Sequence, residues 1–138
     1  MIIDKQLLLD DELDIGAGGG SQASTFSVDL GVAKNIAAGR PMYVVVVIDE
    51  TFDGGTSLKI DIVTDTVATL ASPTTHVGTM AILQTDLAAG REPIVIPIGQ
   101  IDSDRERYLG LYYTDVGTFS AGKVTAFITM DPQSNFGG

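Results

Sequence analysis

The residues best suited to chemistry lie in an acidic cluster near the start of the chain, at Asp10, Glu12 and Asp14. Carboxylates at alternate positions before a glycine are typical of a calcium-binding loop. Here Gly16 comes one position too late, and Ser21 stands where such a loop needs a bidentate carboxylate. We therefore interpret the cluster as a solvated face, and a calcium site is the weaker alternative.

Other candidate sites carry less chemical information. His76 is the one histidine, and one imidazole cannot build a multi-histidine metal site. The glycines of residues 16–20 lack the spacing of a phosphate-binding loop. In residues 102–107 the acids alternate with Arg105 and Arg107, which indicates ion pairing in solvent. We predict no catalytic residue, no metal site and no cofactor.

Composition excludes several classes of function. The chain has 138 residues, no cysteine, and a net charge of −10 from 18 acids against 8 Lys and Arg. Without thiols it has no disulfide, zinc–thiolate site or iron–sulfur cluster. The negative charge argues against direct binding to nucleic acid or to an anionic membrane surface. Asp4 and Lys5 interrupt the apolar start, so no signal peptide is predicted.

Short strands between turn residues fill most of the sequence, which favours a β-sandwich or barrel. The β-branched run at residues 42–48 does not alternate, so we expect a strand covered on both faces. Prolines frame another short strand, which predicts an edge position or a bend. The predicted strands are 42–48, 58–65, 93–98, 107–114 and 123–130, with weaker ones at 25–30 and 76–83.

The predicted organisation is an extended N-terminal arm (1–15), a glycine-rich hinge (16–21) and one β-sandwich domain (22–138). One core between two sheets cannot absorb every apolar side chain in this sequence. We expect the surplus to join subunits, unless the arm and loops fold back over it within one chain. These candidate interface residues are Ile2, Ile3, Leu7, Leu8 and Leu9 in the arm, and Tyr108, Tyr112 and Phe127 in the sandwich.

Five segments, in the same order, carry a resemblance that extends over nearly the whole chain. They are residues 4–9, 28–33, 39–46, 107–113 and 117–127, and the resemblance is weakest over 49–92. The set resembles the capsid cement, or head decoration, proteins of short-tailed bacteriophages with an HK97-like shell.

The resemblance implies an all-β fold, a jelly-roll-like antiparallel β-sandwich with its N-terminal arm extended. It implies a homo-oligomer, either a dimer or a trimer, on the outer surface of the expanded head. There it would bridge major capsid proteins of HK97-like fold and stabilise the shell. Such a protein is made in the bacterial host cytoplasm, becomes part of the virion, and is no enzyme.

Two other classes stay open at this point, because a fold does not set a function. One is a jelly-roll binding module, either carbohydrate-binding or a tail-fibre component, although the chain has no Trp to stack on a sugar. The other is an enzyme on a cupin-like barrel, which would need several metal-binding histidines.

Overall fold

The computed structural model describes residues 7–15, 21–29, 42–98 and 106–129. Ten β-strands and one 3₁₀ turn, Gln84–Asp86, cover most of these residues. The strands are β1 (Leu8–Asp14), β2 (Gln22–Ala23), β3 (Val28–Asp29), β4 (Met42–Asp53), β5 (Ser57–Asp65), β6 (Thr74–Gly78), β7 (Ile82–Leu83), β8 (Ile94–Ile98), β9 (Tyr108–Val116) and β10 (Ala121–Thr129). No helix among the described residues is long and apolar enough to cross a membrane.

The strands form two antiparallel sheets that pack face to face. The first sheet has the order β1–β10–β4–β8. The second has the order β2–β9–β5–β6, with β3 also paired to β9 and β7 to β5. Inward side chains from both sheets belong to one apolar core. The predicted all-β antiparallel sandwich is confirmed.

The strand order is that of a jelly roll. If β2 and β3 are counted as one interrupted strand and the short β7 is set aside, eight strands remain. In chain order they lie as 1-8-3-6 in the first sheet and 2-7-4-5 in the second. Most consecutive strands therefore lie in opposite sheets, which is the double Greek-key arrangement of this fold.

Alternation along the strands decides which side chains enter the core. In β4, Val44 and Val46 point inward, whereas Val45 points to the outer face and is nevertheless fully buried. The prediction that this strand is covered on both faces is therefore confirmed. At one end of the core the rings of Phe52 and Phe119 meet edge to face, with centroids 5.1 Å apart.

Residues Leu8–Asp14, predicted as part of an arm, form an edge strand that pairs with β10. Leu9 is fully buried and Leu13 packs against the core. The register shifts on either side of Asp10, and these irregularities hide the strand pattern in the sequence. Residues 1–6 and 16–20, which hold the rest of the arm and most of the hinge, lie outside the described residues.

Candidate functional site

The second sheet presents an outer face built on β9 that we call the tyrosine face, defined by Tyr108, Gly110 and Tyr112. Leu109 and Leu111 point into the core, so the residues of the tyrosine face point outward. Both tyrosines are half-buried. The sequence prediction that Tyr108 and Tyr112 share a face is confirmed, because the strand alternates without a bulge between them.

Leu70 fills the space between the two tyrosines. A Cβ atom placed on Gly110 would lie 2.4 Å from Leu70 Cδ1, so the glycine makes room for this side chain. Leu70 is buried, although its φ of +55° lies in the left-handed region that a leucine rarely adopts. The loop before β6 therefore packs onto the tyrosine face through one strained, buried residue.

Asp65 holds both ends of that loop. Its carboxylate accepts hydrogen bonds from the backbone N–H of Thr66 at 2.6 Å and of Ser72 at 2.8 Å. The bond from Ser72, with others from the loop backbone, lowers the pKa of Asp65 below its usual 3.8, although burial opposes the shift. A carboxylate at the end of β5 thus fixes the loop that carries Leu70.

An ion pair lies on the other side of β9 from Asp65, beside Tyr108. The guanidinium of Arg107 donates to both carboxylate oxygens of Asp29, over 2.7 Å and 2.8 Å. The same guanidinium lies 5.2 Å from the centroid of the Tyr108 ring. Asp29 raises the pKa of Arg107 by hydrogen bonding and by charge. The bidentate pair joins β9 to β3 and holds the guanidinium beside the Tyr108 ring.

The other predicted interface residues do not join this face. Phe127 points to the outer face of the first sheet, so it lies on the opposite side of the sandwich from Tyr108 and Tyr112. It is 1% exposed, and Leu9 is fully buried in the core. The expectation that Leu9 and Phe127 lie on an exposed surface is therefore wrong, because each is covered within one chain.

The remaining arm residues have mixed positions. Leu7 and Leu8 are half-buried. Leu7 packs against the core, whereas Leu8 lies opposite Phe127 on the neighbouring strand. Ile2 and Ile3 lie outside the described residues. An interface role for these four side chains stays a prediction.

Asp10, predicted to lie on a solvated acidic face, is fully buried, and that interpretation is wrong for this residue. Its carboxylate accepts hydrogen bonds from the hydroxyl of Tyr113 at 2.6 Å and from the N–H of Thr25 at 2.7 Å. Burial raises the pKa of Asp10 above 3.8 despite these bonds, and it also raises the pKa of Tyr113 well above 10. The carboxylate of Asp10 in β1 therefore links the first sheet to Tyr113 in the second sheet.

No group of three or more His, Asp or Glu that could hold a metal is found within the described ranges. His76 Nε2 lies 2.6 Å from Thr64 Oγ1, and that hydroxyl donates to Glu106 at 3.0 Å. Thr64 is only 1% exposed, so its hydroxyl cannot reach a substrate. We interpret this contact as structural, linking β6 to the segment before β9.

An open groove of about 870 Å³ lies on the side of the sandwich away from β1. It is lined by residues 79–83 of the second sheet's edge and by 91–95 at the first sheet's edge. Met80, Leu83 and Val95 are among the exposed large apolar residues. Sequence reasoning missed all three, because a local pattern does not show which apolar side chains near a sheet edge stay uncovered.

Comparison with protein families gives a match over most of the chain. The family model named Bbp16 matches residues 16–128, which is most of the chain and nearly all of its described strands. No curated protein matches this chain.

Proposed function

This chain belongs to the phage-associated Bbp16 family, and we propose that it is a capsid cement, or head decoration, protein. In this proposal it binds the outer surface of the expanded head as a homo-oligomer and bridges neighbouring major capsid proteins. A jelly-roll sandwich suits the role because its two sheets close one core, which leaves outward surface such as the half-buried tyrosines Tyr108 and Tyr112 available for contacts.

The observation that carries the proposal is the tyrosine face. Tyrosine and arginine are enriched in the centres of protein interfaces, where they combine apolar area with polar contacts. Here Tyr108 and Tyr112 stand on a central strand, Leu70 packs between them, and Asp29 holds Arg107 beside Tyr108. A surface fixed in this way loses little side-chain entropy on binding.

The net charge of the chain supports the same role. A net charge of −10 favours dispersed, soluble protein before a docking surface is available. Many copies on one shell then add modest contacts, which become strong through multivalency. Each single contact can therefore be weak and still stabilise the whole head.

The first test is the stoichiometry of the chain in purified virions, measured by quantitative mass spectrometry. We expect a copy number comparable to that of the major capsid protein. A few copies per particle would identify a tail or fibre component instead. Absence from the particle would overturn the proposal.

The second test is binding of variants to expanded heads that lack the protein. We expect Tyr108→Ala with Tyr112→Ala to weaken binding about 10-fold or more, as truncation of interface anchors does. Tyr43→Ala is the matched control, because Tyr43 is a half-buried tyrosine on the outer face of the first sheet. Loss of binding in the control alone would assign docking to the other sheet.

A further inference from the structure

We propose that Asp61 is the acceptor for an arginine side chain of the protein that docks on the tyrosine face. The inference rests on the proposed function, which makes that partner a subunit of the capsid shell. Among the described residues, Asp61 has a buried carboxylate oxygen without a hydrogen bond, and a guanidinium would supply the donors.

Asp61 lies on the outer face of the second sheet, next to Tyr112. Its neighbours in β5, Ile60 and Ile62, point into the core, so Asp61 points outward. Its cross-strand partners are Tyr112 in β9 and Gly78 in β6. Side chains that lie directly opposite each other on one sheet face have Cβ atoms about 5 Å apart. One partner side chain can therefore contact the carboxylate of Asp61 and the ring of Tyr112 together.

The carboxylate of Asp61 is bonded differently from the other buried acids of the described chain, Asp10 and Asp65. Asp10 accepts a hydrogen bond on each oxygen, from Thr25 and Tyr113. Asp65 likewise accepts loop N–H groups on both oxygens. The side chain of Asp61 is 9% exposed, yet its Oδ1 accepts no hydrogen bond from the described residues. A buried carboxylate is costly without such bonds, so a donor from outside the chain would stabilise it.

Gly78 provides the space that the carboxylate of Asp61 occupies. A Cβ atom placed on Gly78 would lie 1.9 Å from Asp61 Oδ1 and 2.9 Å from its Cγ. Any other residue at this position would therefore displace the carboxylate. Gly78 is also exposed, so a partner can come close to β6 beside Asp61 without meeting a side chain there.

Lys59 neutralises Asp61 in the free chain without bonding it. Its Nζ lies 3.6 Å from Asp61 Oδ1, which is too long for a hydrogen bond. The lysine side chain is 50% exposed, and solvent makes ion pairs of this kind weak. Lys59 can therefore move into solvent when a better donor arrives.

A second Asp–Tyr pair on the same sheet indicates which donor fits. Asp29 lies opposite Tyr108 on one side of β9. Asp61 lies opposite Tyr112 on the other side. In the first pair the Arg107 guanidinium donates to both oxygens of Asp29 and lies 5.2 Å from the Tyr108 ring centroid. A guanidinium suits both pairs, because its paired N–H groups match a carboxylate and its plane packs on an aromatic ring.

An organic cation fits Asp61 better than a metal ion does. Divalent metals need several oxygen or nitrogen ligands, and no group of three or more His, Asp or Glu in the described segments could hold one. The net charge of −10 attracts basic surfaces in general. Asp61 would then fix the register of such a surface by binding one of its arginines.

The experiment titrates the isotope-labelled, purified chain with the peptide acetyl-Gly-Arg-Gly-amide and follows backbone amide signals by NMR. We expect saturable shifts in residues 60–62, 77–79 and 111–113. Asp61→Asn should weaken binding about 10-fold, since it removes hydrogen bonds to a charged group. Asp11→Asn is the matched control, because it removes the same charge from an exposed position on the other sheet. Absence of saturable shifts, or equal weakening by the two variants, would overturn the proposal.

A second peptide tests the chemistry of the ligand. Citrulline has nearly the shape of arginine but no charge, so the same peptide with citrulline should not produce the saturable shifts. Added salt should weaken binding of the arginine peptide, because it screens the attraction between opposite charges. Equal binding of the two peptides would show that Asp61 does not select a guanidinium and would contradict the inference.

Two variants distinguish a binding carboxylate from a structural ion pair. Asp61→Asn should unfold at the same urea concentration as the wild type or at a higher one, because it removes a buried charge that the chain leaves without hydrogen bonds. Lys59→Met should bind the arginine peptide more tightly, because the competing ammonium is gone. An earlier unfolding of Asp61→Asn, or weaker binding by Lys59→Met, would mean that the pair is structural and would overturn the proposal.

The proposed function and this inference can fail separately. A chain absent from virions would overturn the proposed function, while arginine binding at Asp61 would still be measurable on the purified chain. A chain present in many virion copies that does not bind the arginine peptide would overturn the inference alone. If both hold, Asp61→Asn should also weaken binding to expanded heads that lack the protein by about 10-fold.

Discussion

The hydroxyl of Tyr113 in β9 donates a 2.6 Å hydrogen bond to the buried carboxylate of Asp10 in β1, and this bond joins the two sheets inside the sandwich. The second carboxylate oxygen accepts the N–H of Thr25. Because both oxygens are satisfied, an acid that would otherwise be costly to bury is tolerated. The same bond connects the edge strand β1 to the strand that carries the tyrosine face.

Removal of the Tyr113 hydroxyl should destabilise the fold. Tyr113→Phe leaves one oxygen of Asp10 buried without a partner, so we expect the free energy of unfolding to fall by about 1–3 kcal/mol. Tyr112→Phe makes the same chemical change on the tyrosine face and should alter stability by less than about 0.5 kcal/mol. Urea unfolding of both variants measures the difference. Equal effects in the two variants would contradict the role of the buried bond.

Asp10 should make the fold less stable as the pH rises. Burial raises its pKa above 3.8, so the folded state binds the proton more tightly than the unfolded state does. Its contribution is fully present below pH 3.8 and is lost as the pH rises through the folded-state pKa. We expect the wild type to lose stability relative to Asp10→Asn over that interval. Urea titrations at stepped pH test this, and a constant difference between the two proteins would refute it.

Local sequence pattern predicted much of the sandwich. The strands at residues 42–48 and 58–65 are present because β-branched and alternating residues favour extended chain wherever they pair. Prolines correctly predicted β8 as an edge strand. By contrast, β1 was missed because its register shifts interrupt the alternation that a strand normally shows.

The candidate site was harder to predict because it depends on long-range pairing. Alternation placed Tyr108 and Tyr112 together, since they belong to one strand. It could not place Phe127, because nothing local shows that β9 and β10 belong to opposite sheets. Asp10 was misassigned for the same reason, since its partner Tyr113 is distant in the sequence.

Asp65 should show the opposite pH dependence from Asp10. Hydrogen bonds from the loop lower its pKa, so its contribution to stability is present above pH 3.8. That contribution is lost as the pH falls through the folded-state pKa, which lies below 3.8. We expect the advantage of the wild type over Asp65→Asn to shrink as the solution is acidified. Urea unfolding at stepped pH measures this advantage, and an advantage that stays constant on acidification would contradict the role of Asp65.

Gly110 and Leu70 should be energetically coupled. Gly110→Ala places a methyl group 2.4 Å from Leu70 Cδ1 and 2.9 Å from Ser24 Oγ, so we expect a loss of about 1–3 kcal/mol. In a Leu70→Ala background the larger clash is absent, and the cost of Gly110→Ala should fall by about 1 kcal/mol. A double-mutant cycle by urea unfolding measures this coupling. Additive costs would mean that Leu70 does not occupy the space above Gly110, and the tyrosine face would then lack the residue that separates its two rings.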